Sequence, residues 1–129
     1  MSVGIVIVTH GKTGESLIEE AGFVLGQASD GIFSIAFNQL QDVRSSARAI
    51  RSSIEEADTG DGVIVLTDLM GSSPSNLVVD MLEEYHALMV TGINLGMLIR
   101  VCNYRDGTLE LVARKAVDGG RLAVKIFQK

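Results

Sequence analysis

The chain is short of several residue types, and each shortage removes a class of function. It has a single cysteine among 129 residues, so an intrachain disulfide is impossible. Cys102 lies in the run "MLIRVCNY", which reads as a helix carrying a buried structural thiol. The two histidines, His10 and His86, are far apart with no acidic cluster beside them, which gives no metal-site signal. Tryptophan is absent and only Tyr85 and Tyr104 represent tyrosine, so aromatics to flank a flavin ring are scarce. Lysine and arginine total 11 against 16 aspartates and glutamates, a net charge of −5 without the basic footprint of a nucleic-acid binder. The amino terminus lacks a basic leader, and its apolar run is too short for a signal peptide or a membrane span. A soluble, cytoplasmic protein is the expectation. There is no linker, internal repeat or low-complexity stretch, so residues 1–129 read as one domain.

What is present is an alternation of apolar runs with segments of helical period. "VGIVIV" (3–8), "IFSIAF" (32–37), "GVIVLT" (62–67) and "ALMV" (87–90) read as strands. The first and third are almost continuous in Val, Ile and Leu, the composition of parallel strands covered on both faces. Between them, Leu17, Ile18, Ala21, Val24, Leu25 and Ala28 recur at helical spacing, as do Val43, Ala47, Ile50, Ile54 and Ala57, and later Leu77, Val78, Met81 and Leu82. The pattern predicts an α/β fold: a doubly wound, mainly parallel sheet of four strands with flavodoxin-like layering. "GDG" (60–62), "RDGT" (105–108) and "DGG" (118–120) read as breaks or turns. The alternating "RLAVKIFQK" (121–129) reads as a final edge strand. Ser73 fits the N-cap of a helix whose first position is Pro74.

In open α/β sheets, ligands sit beyond the carboxyl ends of the strands, where strand order reverses. After the first strand come Thr9, His10, Gly11, Lys12, Thr13 and Gly14; after the third come Asp68 and "GSSPSN" (71–76). If these two strands are neighbours, His10 and Asp68 share a crevice. A carboxylate bonded to one imidazole nitrogen fixes the tautomer and frees the lone pair of the other, which makes a nucleophile or base. The helix start at Ser72, Ser73 and Pro74 offers backbone N–H groups and hydroxyls to an anion, with Gly71 and Thr9 flanking the same crevice. Together these point to phosphoryl transfer through a phosphohistidine. Taken singly, each has an ordinary reading: His10 as a surface residue, Asp68 as a turn cap, the serines as a helix cap. His86, near a helix end, reads as a partner of that helix's dipole. "GKT" (11–13) is not a P-loop, since Val6 stands where the pattern needs glycine. An FMN site is the alternative reading of "THGKTGES", weakened by the missing aromatics.

"IVIVTHG", "DLMGSSPSN", "VTGINLGMLIR" and "AVDGGRLAVK", in that order, resemble the IIA domains of mannose-family phosphotransferase systems over essentially the whole chain. The resemblance implies that His10 accepts a phosphoryl group from the general histidine phosphocarrier protein and passes it to a IIB component, which phosphorylates sugar during uptake. Such a protein is a phosphotransferase with a phosphohistidine intermediate and touches the membrane only indirectly. Asp68 matches the aspartate that orients the histidine, and Ser73 the serine of a "GGSPFN"-like loop. Ser72 replaces that loop's second glycine and Ser75 its phenylalanine. The resemblance also implies an antiparallel fifth strand, here "RLAVKIFQK", commonly exchanged across a homodimer, and neither a metal nor an organic cofactor. A stand-alone regulatory member, signalling by its phosphorylation state, is the alternative purpose.

Overall fold

The computed structural model describes residues 2–26, 31–38, 42–69, 71 and 73–129. Strand β1 (Gly4–His10) leads through α1 (Thr13–Leu25) to β2 (Ile32–Phe37), and α2 (Val43–Ala57) leads to β3 (Val63–Thr67). Helix α3 (Ser73–Met81) and a 3₁₀ turn (Leu82–Glu84) precede β4 (Ala87–Val90), then α4 (Leu95–Asn103) and α5 (Leu109–Leu122) follow. The strands form one sheet in the order β2-β1-β3-β4, every pair parallel. The order reverses between β1 and β3, so the crevice at their carboxyl ends is the switch point.

The Val/Ile runs form the central strands because both faces of the sheet are covered. Val3, Ile5 and Ile7 point into a core shared with Ala21, Leu98, Val101, Val112 and Ala116, on the side of α1, α4 and α5. Val6 and Val8 point into a second core with Ile50, Ile54, Val78 and Met81, on the side of α2 and α3. The helices therefore form two layers around the sheet, as the alternation of sequence patterns predicts.

Several local expectations are corrected. Residues 121–129 are not a strand of this sheet: Arg121 and Leu122 close α5, and 124–129 have no regular structure and lie exposed. Asp118, Gly119 and Gly120 are not a turn but lie inside α5. The cause is close helix packing, since a Cβ on Gly119 would stand 2.6 Å from Arg100 Cβ and one on Gly120 2.7 Å from Met97 Cε. Ser73 is itself the first helical residue of α3 rather than its cap, and residue 72 lies outside the described residues. Val24 is 61% exposed despite its helical spacing, and Ala28 also lies outside the described residues. Cys102 is half-buried on α4, and burial pushes its thiol up. His86 is exposed and sits just before β4, two residues past the 3₁₀ turn and at the opposite end of the sheet from His10.

Candidate functional site

The hydrogen-bond ladder brings the site together. β1 pairs with β2 as far as His10, which lies opposite Phe37, so the histidine is the last residue of the strand rather than the first of a loop. It shares the side of Val6 and Val8, toward α2 and α3. The neighbouring strand β3 ends at Thr67, and Asp68 follows at once. The 0% exposure of Val6, Val8, Val65 and Leu66 holds these strand ends rigidly beneath a solvent-open imidazole.

One oxygen of Asp68 makes both contacts to the histidine. The backbone N–H of His10 donates to Asp68 Oδ2 at 3.0 Å, and Nδ1 of the ring lies 2.8 Å from the same oxygen. A carboxylate can only accept, so in the neutral imidazole Nδ1 carries the proton and Nε2 keeps a free lone pair. The side chains are 46% and 19% exposed, respectively. Burial alone would raise the Asp68 carboxyl, but the hydrogen bonds and charge of His10 outweigh it and hold the group below its ordinary value. Asp68 Oδ1 is buried without a hydrogen-bond partner among the described residues.

The turn after His10 explains the glycines there. Gly11 takes a left-handed conformation (φ 48°), and its N–H donates to the Phe37 carbonyl at 3.1 Å. A Cβ on Gly14 would stand 2.7 Å from Ile7 Cγ2, so only glycine lets α1 begin this close to the sheet. The N–H of Gly14 donates to Thr9 Oγ1 at 2.8 Å. Thr9, expected at the phosphoryl seat, is instead fully buried with its hydroxyl engaged in this turn.

The other expected residues are placed as follows. Ser73 is exposed at the start of α3 and lines a groove of about 240 Å³ with Phe37, Val43, Asn76, Leu77 and Asp80. Gly71 is exposed in a left-handed conformation (φ 81°), its carbonyl accepting from Asn76 Nδ2 at 3.4 Å. Ser72 lies outside the described residues. The sequence reading missed Phe37, whose ring meets that of His10 edge-on, with centroids 6.4 Å apart and planes at 74°. The signal for it is the strand pattern itself, because Phe37 ends β2 as His10 ends β1. No group of three or more potential metal ligands exists among the described residues, and none of their helices is long and apolar enough to cross a membrane.

The doubly wound parallel sheet thus carries, at its switch point, a histidine whose ring is held by a carboxylate. A family profile described as "PTS system fructose IIA component" matches residues 4–115, and the chain belongs to this mannose-type EIIA family. The mannose-specific EIIAB component of Escherichia coli K12 is 33% identical over 135 residues, covering 99% of this chain and 40% of that protein. The Shigella flexneri EIIAB component matches to the same extent, so this chain spans less than half the length of these relatives. Among solved structures, a PTS IIA protein associated with the fucose utilization operon of Streptococcus pneumoniae superposes with a TM-score of 0.84 at 23% identity, covering 98% of this chain and 96% of that one. The mannose/sorbose-specific IIA subunit of Enterococcus faecalis gives 0.79 at 24% identity, covering 100% and 97%. The fold matches these structures in its four parallel strands and five helices; the edge strand and its exchange are not seen in this chain.

Proposed function

We propose that His10 is a phosphoryl carrier, loaded by the general histidine phosphocarrier protein and unloaded onto a IIB component. The Nε2 lone pair attacks the phosphorus of the donor's phosphohistidine as that phosphorus–nitrogen bond breaks, and its electron pair returns to the donor's imidazole. The proton on Nδ1 stays in place throughout, held by Asp68, whose negative charge stabilises the imidazolium character that His10 gains on phosphorylation. What supports the reading above all is the 2.8 Å contact between Nδ1 and Asp68 Oδ2, which leaves Nε2 as the reactive nitrogen.

Ser73 and the N–H groups opening α3 are suited to hold phosphoryl oxygens. The groove they share with Val43 and Leu77, together with the exposed Leu69, offers apolar surface to a docking protein. The reading extends to a homodimer in which residues 124–129 add a strand to the free edge of β4 in a second copy. Ile126 and Phe127 are 99% and 89% exposed, while a cavity of about 670 Å³ lies beside β4, lined by Met89, Val90, Met97 and Val117.

The test is incubation with phosphoenolpyruvate, enzyme I and the phosphocarrier, followed by alkaline quench. Acid-labile label should appear on the parent and vanish in His10→Ala; full labelling of His10→Ala refutes the assignment. Onward transfer to purified IIB distinguishes the transport carrier from a regulatory member that is labelled but does not pass its phosphoryl group on.

A further inference from the structure

Phe37 is the single buried residue of β2, although β2 is an outer strand of the sheet. Its position follows from register. The pairs Val6–Phe33, Val8–Ile35 and His10–Phe37 run along one face, so the phenylalanine stands beside the imidazole as Ile35 stands beside Val8. The residue is 9% exposed, and its ring meets that of His10 edge-on. Its carbonyl also accepts the N–H of Gly11, the residue that follows the histidine.

A single ring hydrogen bond to Asp68 fixes where Nδ1 lies but leaves the imidazole free to rock about that contact. A second contact, from the side, removes this freedom. The attack on phosphorus needs the Nε2 lone pair aligned with the bond that breaks, and alignment dominates the rate of such exchanges.

We propose that Phe37 is a positioning residue for the phosphoryl exchange: packed against the flank of His10, it holds the imidazole plane so that Nε2 faces the incoming phosphorus. The proposal rests on the carrier reading above. Phe37 makes no contact with the phosphoryl group in it; it acts through the imidazole. Aromatic pairs of this geometry are worth enough to change the aligned population by roughly three- to tenfold.

The test compares the parent with Phe37→Leu and Phe37→Tyr. Leucine keeps an apolar side chain in the groove also lined by Val43 and Leu77 but removes the ring edge; tyrosine restores it. Single-turnover labelling at saturating phosphocarrier should slow by about three- to tenfold in Phe37→Leu, with KM unchanged, and recover in Phe37→Tyr. NMR of the His10 ring, recorded without any donor, should show one side-chain rotamer in the parent and averaging in Phe37→Leu. A Phe37→Leu protein with the parent's rate and a single rotamer overturns the proposal. A change confined to KM also overturns it, because Phe37 would then act in docking. If Phe37→Leu does not fold, Phe37→Met is read by the same criteria. Absence of label on the parent refutes the carrier reading and with it any role in exchange, whereas a labelled parent with an unslowed, single-rotamer Phe37→Leu refutes the positioning role only, so the two failures are told apart.

Discussion

Asp68→Asn should slow phosphorylation of His10 by roughly 10- to 100-fold while leaving the fold intact. The estimate starts from the two hydrogen bonds that converge on Oδ2, at 3.0 Å from the backbone N–H and 2.8 Å from Nδ1. An asparagine oxygen in that place can still accept both, but each bond to a neutral acceptor is weaker by about 1 kcal/mol than one to a carboxylate. The backbone bond is made before and after phosphorylation, so its loss affects stability more than rate. The ring bond is different, since Nδ1–H becomes a stronger donor as positive charge develops on the imidazole. Losing the carboxylate there costs about 1.4–2.7 kcal/mol of barrier, which is the stated factor. The amide nitrogen would also occupy the site of Oδ1, a buried atom with no partner among the described residues, and favour a flip that presents N–H to N–H. The assay is rapid-quench labelling under single-turnover conditions, with the His10 tautomer followed by ¹⁵N NMR. A rate within twofold of the parent, with Nδ1 still protonated, would refute the orienting role of Asp68.

Three further outcomes follow from the same geometry. The carboxyl of Asp68 is held below its ordinary value, so its contribution to stability is complete at neutral pH and disappears only as pH falls through that lowered value; the gap between parent and Asp68→Asn in denaturant unfolding should therefore be constant near neutrality and close in strong acid. Gly14→Ala should cost about 1–3 kcal/mol in chemical denaturation, because its Cβ would stand 2.7 Å from Ile7 Cγ2 and 3.1 Å from Thr9 Oγ1 in a packed layer; an unchanged midpoint would show that α1 can shift away freely. Replacing both Ile126 and Phe127 with aspartate should leave the monomer fold unchanged but lower the sedimentation coefficient to that of a monomer; an unaltered dimer mass would mean that the tail does not bridge the copies.

The sequence was most legible where one physical cause dominates. The Val/Ile runs of β1 and β3 announce strands covered on both faces, and the stretch after each strand announces where a site can form. Boundaries were less legible because they depend on neighbours. β1 continues to His10 since β2 offers it a partner in Phe37, which no local propensity records. Asp118, Gly119 and Gly120 have the composition of a turn, yet they lie within α5, and the two glycines stand where α4 packs too close to admit side chains. The alternation of "RLAVKIFQK" is real, but alternation does not say which edge a segment can reach, and here Arg121 and Leu122 complete α5 instead while 124–129 stay irregular. In the site, His10 and Asp68 could be paired from the expected strand order alone. The commitment of Thr9 to Gly14 and the ring contact of Phe37 could not, because both depend on which face each residue takes.

One oxygen of Asp68 grips both the main chain and the ring of the same residue, and this ties side-chain chemistry to backbone alignment. The ring cannot be re-aimed without loosening the junction between the ends of β1 and β3. A slip of one residue between these strands would turn the imidazole toward the opposite helical layer and put the N–H of Thr9 or Gly11 before the carboxylate. On the carrier reading, the choice of reactive nitrogen is therefore inherited from the ladder. Valines and isoleucines that carry no chemistry of their own, by locking that ladder, would then decide which lone pair meets the phosphorus.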